Sequence, residues 1–260
     1  MNSQIRRNRR KSTVYFSQLI LIAFCGLFIS SEPVLASEAL VPHTAEYKIK
    51  ISILGGKLYT SFQLTDQGYA ATSSIKATGM ARLVARGNIT ESSAFSDFDD
   101  GIRPAEFHSV DSLSSKGEVV DLTFDWDAQE VAGQIDGEDF RADLDGIVHD
   151  RVSLQYALMH DLLNGGHRGE YSLQDAEKLK LLSVTDMGSK IVKVPFGKFE
   201  AIGIQHRAGT SSRVTTLWCA KELGYLPIMI EQHRKGKLKV RAVLANYTPS
   251  VQSVAESAVK

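Results

Sequence analysis

Val119-Val120-Asp121-Leu122-Thr123-Phe124-Asp125-Trp126 decides the fold class. Successive side chains of an extended strand point to opposite faces. Val120, Leu122, Phe124 and Trp126 therefore point one way, and Asp121, Thr123 and Asp125 the other. That is a strand with one face in a core and one in water.

The pattern recurs on both sides. Towards the N-terminus, strands are expected at 44–53, 58–65, 69–77, 88–97 and 104–110. Gly55-Gly56 between the first two reads as a two-residue hairpin turn, since glycine accepts positive φ. Gly79 to Val84 is less regular and reads as a short helical turn or a loop. Towards the C-terminus, strands are expected at 130–135, 138–143, 179–186, 190–195, 199–206, 213–219, 226–233 and 237–247. In the last of these, Leu238, Val240, Ala242 and Leu244 alternate with Lys239 and Arg241. Many short strands at this spacing make a sandwich or a barrel-like sheet.

One segment, 150–163, breaks the rhythm. Asp150 can cap a first helical turn through its carboxylate, and Gly165 supplies the stop. Val152, Tyr156, Met159 and Leu163 share one helical face, which Leu154, Leu158 and Leu162 broaden. Such a helix is expected to lie embedded against a sheet. The expected fold is mainly β: an antiparallel, strongly curved open barrel with this one helix on its concave face.

The N-terminus carries a separate message. Arg6, Arg7, Arg9, Arg10 and Lys11 precede an apolar run from Val14 to Ile29, and Val34-Leu35-Ala36 follows. That order is a secretory signal. The run is too short for an ordinary membrane-spanning helix. Cleavage after Ala36 is expected, which makes the protein periplasmic with no membrane span afterwards. Residues 37–248 then form a single β-rich domain, and residues 249–260 a disordered tail.

Composition narrows the functions. Without residues 1–36, five of the 30 basic and one of the 30 acidic residues are gone, leaving a net charge of about −4. This balance gives nucleic acid no basic footprint. Cys219 is then the only cysteine, so no intrachain disulfide forms and the thiol reads as buried and inert. The seven histidines show no His-Glu-x-x-His pairing. Asp97, Asp99, Asp100 and Gly101 fail the spacing of a calcium loop. No Gly-x-Ser-x-Gly elbow is present. No catalytic residue, metal ligand or cofactor is therefore expected.

Aromatic residues spread over many strands remain. They are either ordinary core or the lining of a cavity for an acyl chain or similar ligand. On the second reading Trp126, Tyr156, Met159 and Trp218 line that cavity. Glu231 is either an exposed charge or a partnered one, and periodicity leaves the choice open.

Three segments point to a family. Gly101-Ile102-Arg103-Pro104-Ala105-Glu106-Phe107 and Asp150-Arg151-Val152-Ser153-Leu154-Gln155-Tyr156-Ala157-Leu158 are two. Leu217-Trp218-Cys219-Ala220 with Gly224-Tyr225-Leu226-Pro227-Ile228-Met229-Ile230-Glu231 is the third. In this order they resemble the bacterial exported domain of unknown function 3108 (DUF3108) family. The resemblance implies an exported β-rich protein like the open barrels of lipoprotein carriers. It implies no catalytic residues. The leading expectation is a non-enzymatic binding or carrier protein for a hydrophobic ligand, lipid or acyl, in the cell envelope. An envelope protein–protein interaction module is the second reading. A hydrolase with a site assembled from distant strands is the third.

Overall fold

The computed structural model describes residues 39–83, 86–114 and 116–250. The expected secretory signal, residues 1–36, and residues 251–260 of the expected tail lie outside the described residues. Fifteen strands build one sheet: β1 (His43–Ile51), β2 (Leu54–Thr65), β3 (Gly68–Thr78), β4 (Asn88–Phe98), β5 (Gly101–Asp111), β6 (Glu118–Asp125), β7 (Glu130–Ile135), β8 (Glu138–Asp143), β9 (Val148–His149), β10 (Glu170–Asp175), β11 (Lys178–Val194), β12 (Gly197–Ala208), β13 (Arg213–Ala220), β14 (Leu226–Arg234) and β15 (Lys237–Pro249). Among the described residues one α-helix, α1 (Ser153–Leu163), joins β9 to β10. Gly79–Leu83 forms the short helical turn, of the 3-10 type.

The order across the sheet is β8-β7-β6-β5-β4-β3-β2-β1-β15-β14-β13-β12-β11-β10-β9. Two meanders are thus sewn together where β1 pairs with β15. Neighbours are antiparallel except the short pair β9–β10. The sheet is curved and stays open, with β8 and β9 as its edges. Glu138, Asp139, Arg141 and Asp143 on β8 charge that edge, which discourages pairing with another chain.

The alternation is real where it was read. Val120, Leu122 and Phe124 are buried between exposed neighbours. Along β15, burial deepens from Leu238 (43% exposed) to Ala242 (4%) and Leu244 (0%). Glu231 is partnered: Arg241, its cross-strand neighbour, places Nη2 2.6 Å from the carboxylate.

Two expectations need correction. Gly55-Gly56 is not the turn; Ser52-Ile53 is, with Ser52 at positive φ, and the glycines lie inside β2. There they bring backbones together, since a Cβ on Gly56 would sit 3.2 Å from the Lys76 carbonyl of β3. The strands expected at 179–186 and 190–195 are one strand, β11, with a bulge between Asp186 and Ser189. β9 and β10 were not foreseen, being short and patterned by the helix between them.

Helix α1 packs against β4 and β5. Tyr156 stacks on Phe62 (centroids 4.4 Å apart) and Phe95 (5.3 Å). Tyr156, Ala157, Leu158, Met159 and Leu162 are all buried, so α1 is enclosed over most of its circumference. Cys219 is buried as well, and burial pushes its thiol pKa up, away from thiolate chemistry.

Candidate functional site

The site grows from the start of α1. Asp150 Oδ1 accepts from the backbone N–H groups of Val152 (2.7 Å) and Ser153 (2.8 Å). Ser153 Oγ in turn accepts from Asp150 N–H (3.0 Å). This is a reciprocal capping box. The other carboxylate oxygen accepts from Ser93 Oγ of β4 at 2.6 Å, which fixes the helix start to the sheet. Asp150 is fully buried, and burial raises its pKa despite these hydrogen bonds. Asp150→Ala leaves three buried donors without an acceptor. It should cost about 3 kcal/mol in chemical denaturation. A loss below about 1 kcal/mol would show that the cap does not hold α1.

Arg151 follows and collects acids from three strands. Its guanidinium lies 2.8 Å from Glu91, 3.1 Å from Glu118 and 3.2 Å from Asp175. It also donates to Ser109 Oγ (2.8 Å) and covers the Phe107 ring. Burial raises the Glu91 pKa, and Arg151 opposes that. Asp175 is also paired with Lys180.

A second polar cluster sits at the C-terminal end of α1. Asp161 accepts from Arg168 Nε (2.7 Å) and Tyr171 OH (2.7 Å), and lies 3.2 Å from His160 Nδ1. Burial works to raise its pKa, but these partners together hold it below the ordinary carboxylate value. His160 Nε2 reaches Asp97 at 3.2 Å, and the Asp161 hydrogen bond raises the His160 pKa. Arg168 also donates to the Asp100 carbonyl at 2.5 Å. It passes over Gly101, where a Cβ would lie 2.0 Å from the guanidinium. The cluster fastens α1, the β4–β5 turn and β10 together. A carboxylate flanks each ring nitrogen of His160, so the imidazole is bound on both sides rather than presented to a hydroxyl or thiol.

Between α1 and the second meander lies a groove of about 240 Å³. Leu154 and Leu158 of α1 form one wall. Leu173, Leu182, Val184 and Leu217 from β10, β11 and β13 form the other. Tyr171, Gln155, His206 and Arg151 complete the lining. The surface is mostly aliphatic with a few polar groups, the usual make-up of a small-molecule site. Its volume lies just under the common range for such sites, which favours a slender occupant.

None of Trp126, Tyr156, Met159 and Trp218 lines this groove. Tyr156 and Met159 come together in the core on the sheet side of α1. Trp126 follows β6, half-buried, and donates its indole N–H to the Pro104 carbonyl at 2.7 Å. Trp218 points to the opposite face of β13 from Leu217. It packs over Gly203, where a Cβ would fall 2.7 Å from the indole, and Lys190 Nζ lies 3.3 Å from the ring centroid. The groove residues that sequence reading missed are aliphatic, and aromatic content was the marker used. Leu154 and Leu158 were visible as a broadened helical face; Leu182 and Val184 alternate along β11 and offered the same signal.

Among curated proteins, no sequence matches this chain. Among solved structures, it is similar to a β-barrel-like protein of the domain of unknown function DUF1849 from Brucella abortus. That match has 13% identity and a TM-score of 0.55, over 81% of this chain and 98% of that one. At this identity the likeness concerns the fold alone. A weaker likeness joins it to a protein with a YmcC-like fold from Bacteroides fragilis, with 13% identity, a TM-score of 0.35, and 79% of this chain and 95% of that one covered. A family model for a protein of unknown function, DUF3108, matches residues 44–241, from the start of β1 into β15. The match spans both meanders, the helix and the groove between them, and the chain belongs to the DUF3108 family.

Proposed function

We propose that this protein is a non-enzymatic binding or carrier protein for a hydrophobic ligand, working in the periplasm after loss of its signal peptide. The groove between α1 and β10–β13 is the observation that carries the reading. Its aliphatic walls gain by about 25 cal/mol for each Å² of apolar surface that a ligand takes out of water. Both ends of α1 are pinned by polar clusters, so the wall is preorganised and binding requires little ordering. Among the described residues no helix is long and apolar enough to cross a membrane. The basic and apolar N-terminal segment supports export.

The test is to fill the groove. Leu154→Trp and Leu173→Trp each place an indole in it from opposite walls. Either should reduce binding of a neutral apolar fluorophore, N-phenyl-naphthylamine, by about tenfold while the protein stays folded by circular dichroism. Unchanged binding in both folded variants would move the ligand site elsewhere.

A second reading has its own observation. Leu179 and Leu181 of β11 are exposed (53% and 52%) beside β10 and the two-residue edge strand β9. Exposed leucines next to a sheet edge suit an envelope protein that adds a strand. Site-specific crosslinking from Leu181 that traps a stoichiometric partner in cells would favour it.

A further inference from the structure

We propose that the groove takes an anionic single-chain amphiphile, with its chain beside α1 and its carboxylate or phosphate in a basic recess at one end. This rests on the groove being a ligand site, as argued above.

The recess holds about 480 Å³ and shares Leu173, Leu182 and His206 with the groove. The two therefore adjoin at these three residues. Strand β13 shows the change between them residue by residue. Every second side chain of a strand shares a face, so Leu217, Thr215 and Arg213 follow one another as apolar, hydroxyl and cation. Strand β11 repeats the change: Val184, Leu182, Lys180. With β12 antiparallel between them, β11 and β13 run in the same direction, so both gradients reach their cation at the same end.

Charge in the recess is one-sided. Lys180, Arg213 and Arg234 line it against one carboxylate, Asp175. Asp175 is already paired with Lys180 and Arg151. Among the described residues, Arg213 and Arg234 form no ion pair with a carboxylate. Arg213 and Arg234 are direct cross-strand partners. Like charges directly opposite destabilise a sheet, and an anion between them reverses the sign of that interaction. Burial first, and then the Arg213 and Arg151 charges, hold Lys180 below its ordinary pKa. Ser212, Thr215 and Gln232 add neutral donors around the same space.

The experiment compares decanoate, decanol, decyltrimethylammonium and inorganic phosphate by titration calorimetry at low salt. It uses the wild type and the Arg213→Gln/Arg234→Gln double variant; both sites are exposed, so the fold is spared. Decanoate should bind about tenfold more tightly than decanol, and decyltrimethylammonium most weakly. The double variant should lose about tenfold for decanoate and under about twofold for decanol. Added salt should weaken decanoate alone. Equal binding of decanoate and decanol in both proteins would overturn the anionic class and leave the apolar groove standing. Phosphate binding as tightly as decanoate would make the recess a free-anion site and overturn the amphiphile. No binding of any of the four would overturn both the recess and the groove.

Discussion

Tyr156→Ala is expected to cost about 3–5 kcal/mol, the usual range for removing a buried aromatic side chain. For a domain of this size that corresponds to a melting temperature lower by roughly 6–20 °C. The reason is the position of the ring. Tyr156 is 2% exposed and packs against both Phe62 and Phe95, which are themselves 0% and 1% exposed and stack on each other. Deleting it opens a cavity where α1 meets the aromatic layer of β2 and β4. The sheet around it is hydrogen-bonded on both sides and cannot collapse into the space. Tyr156→Phe keeps the stack and should stay within about 1.5 kcal/mol of wild type. Thermal and denaturant unfolding of the two variants checks this. A Tyr156→Ala protein of wild-type stability that has lost ligand would instead make Tyr156 a lining residue of an open cavity.

The second large effect is a loss of stability in mild acid, carried by His149. Its ring is 2% exposed on β9, 6.0 Å from the Tyr171 ring. Its Nδ1 has no hydrogen-bond partner among the described residues. Burial first, and then the Arg168 charge, lowers its pKa to about 4, against the opposing pull of Asp161. The ordinary value is 6.5. The sign follows directly. Below the ordinary value the unfolded chain takes up a proton that the folded chain refuses, so stability is present above it and falls as pH drops towards the folded value. The whole contribution is on the order of 3 kcal/mol. His160, Glu91 and Asp150 have raised values and act with the opposite sign, whereas His43, His206 and Asp161 have lowered values and act with the same sign. The comparison must therefore be with His149→Leu, which keeps those groups and removes the imidazole. The stability difference between wild type and variant should shift by about 3 kcal/mol between about pH 7 and pH 4. A constant difference would mean that His149 takes up its proton in the fold as readily as in the unfolded chain.

The fold was legible where burial is one-sided. Val120, Leu122 and Phe124 alternate because their strand has water on one face. Asp150 was readable as a cap because a carboxylate at that place answers backbone N–H groups whatever lies beyond. The groove was not legible, for two reasons. Its walls are leucines and a valine, which look in sequence like any other core positions. The residues that did look special were consumed by the core: Tyr156 by Phe62 and Phe95, Trp218 by Gly203 and Lys190. The polar clusters were hidden for a different reason. Ser93 meets Asp150, and Glu91 meets Arg151, across a sequence separation that only the curvature of the sheet closes. The basic recess lies between these cases. Arg213 and Arg234 are ordinary surface arginines in sequence, and their opposition depends on the register of β13 against β14.

Native mass spectrometry of the protein purified from its native cells, beside Leu154→Trp prepared identically, is the most direct measurement. A hydrophobic cargo held beside α1 predicts a defined added mass on the wild type, recovered as one lipid class on extraction and missing from the variant. Bare protein in both samples, under conditions that keep the ligand on a known lipid carrier, would contradict it and leave the groove as an unfilled seam between α1 and the sheet.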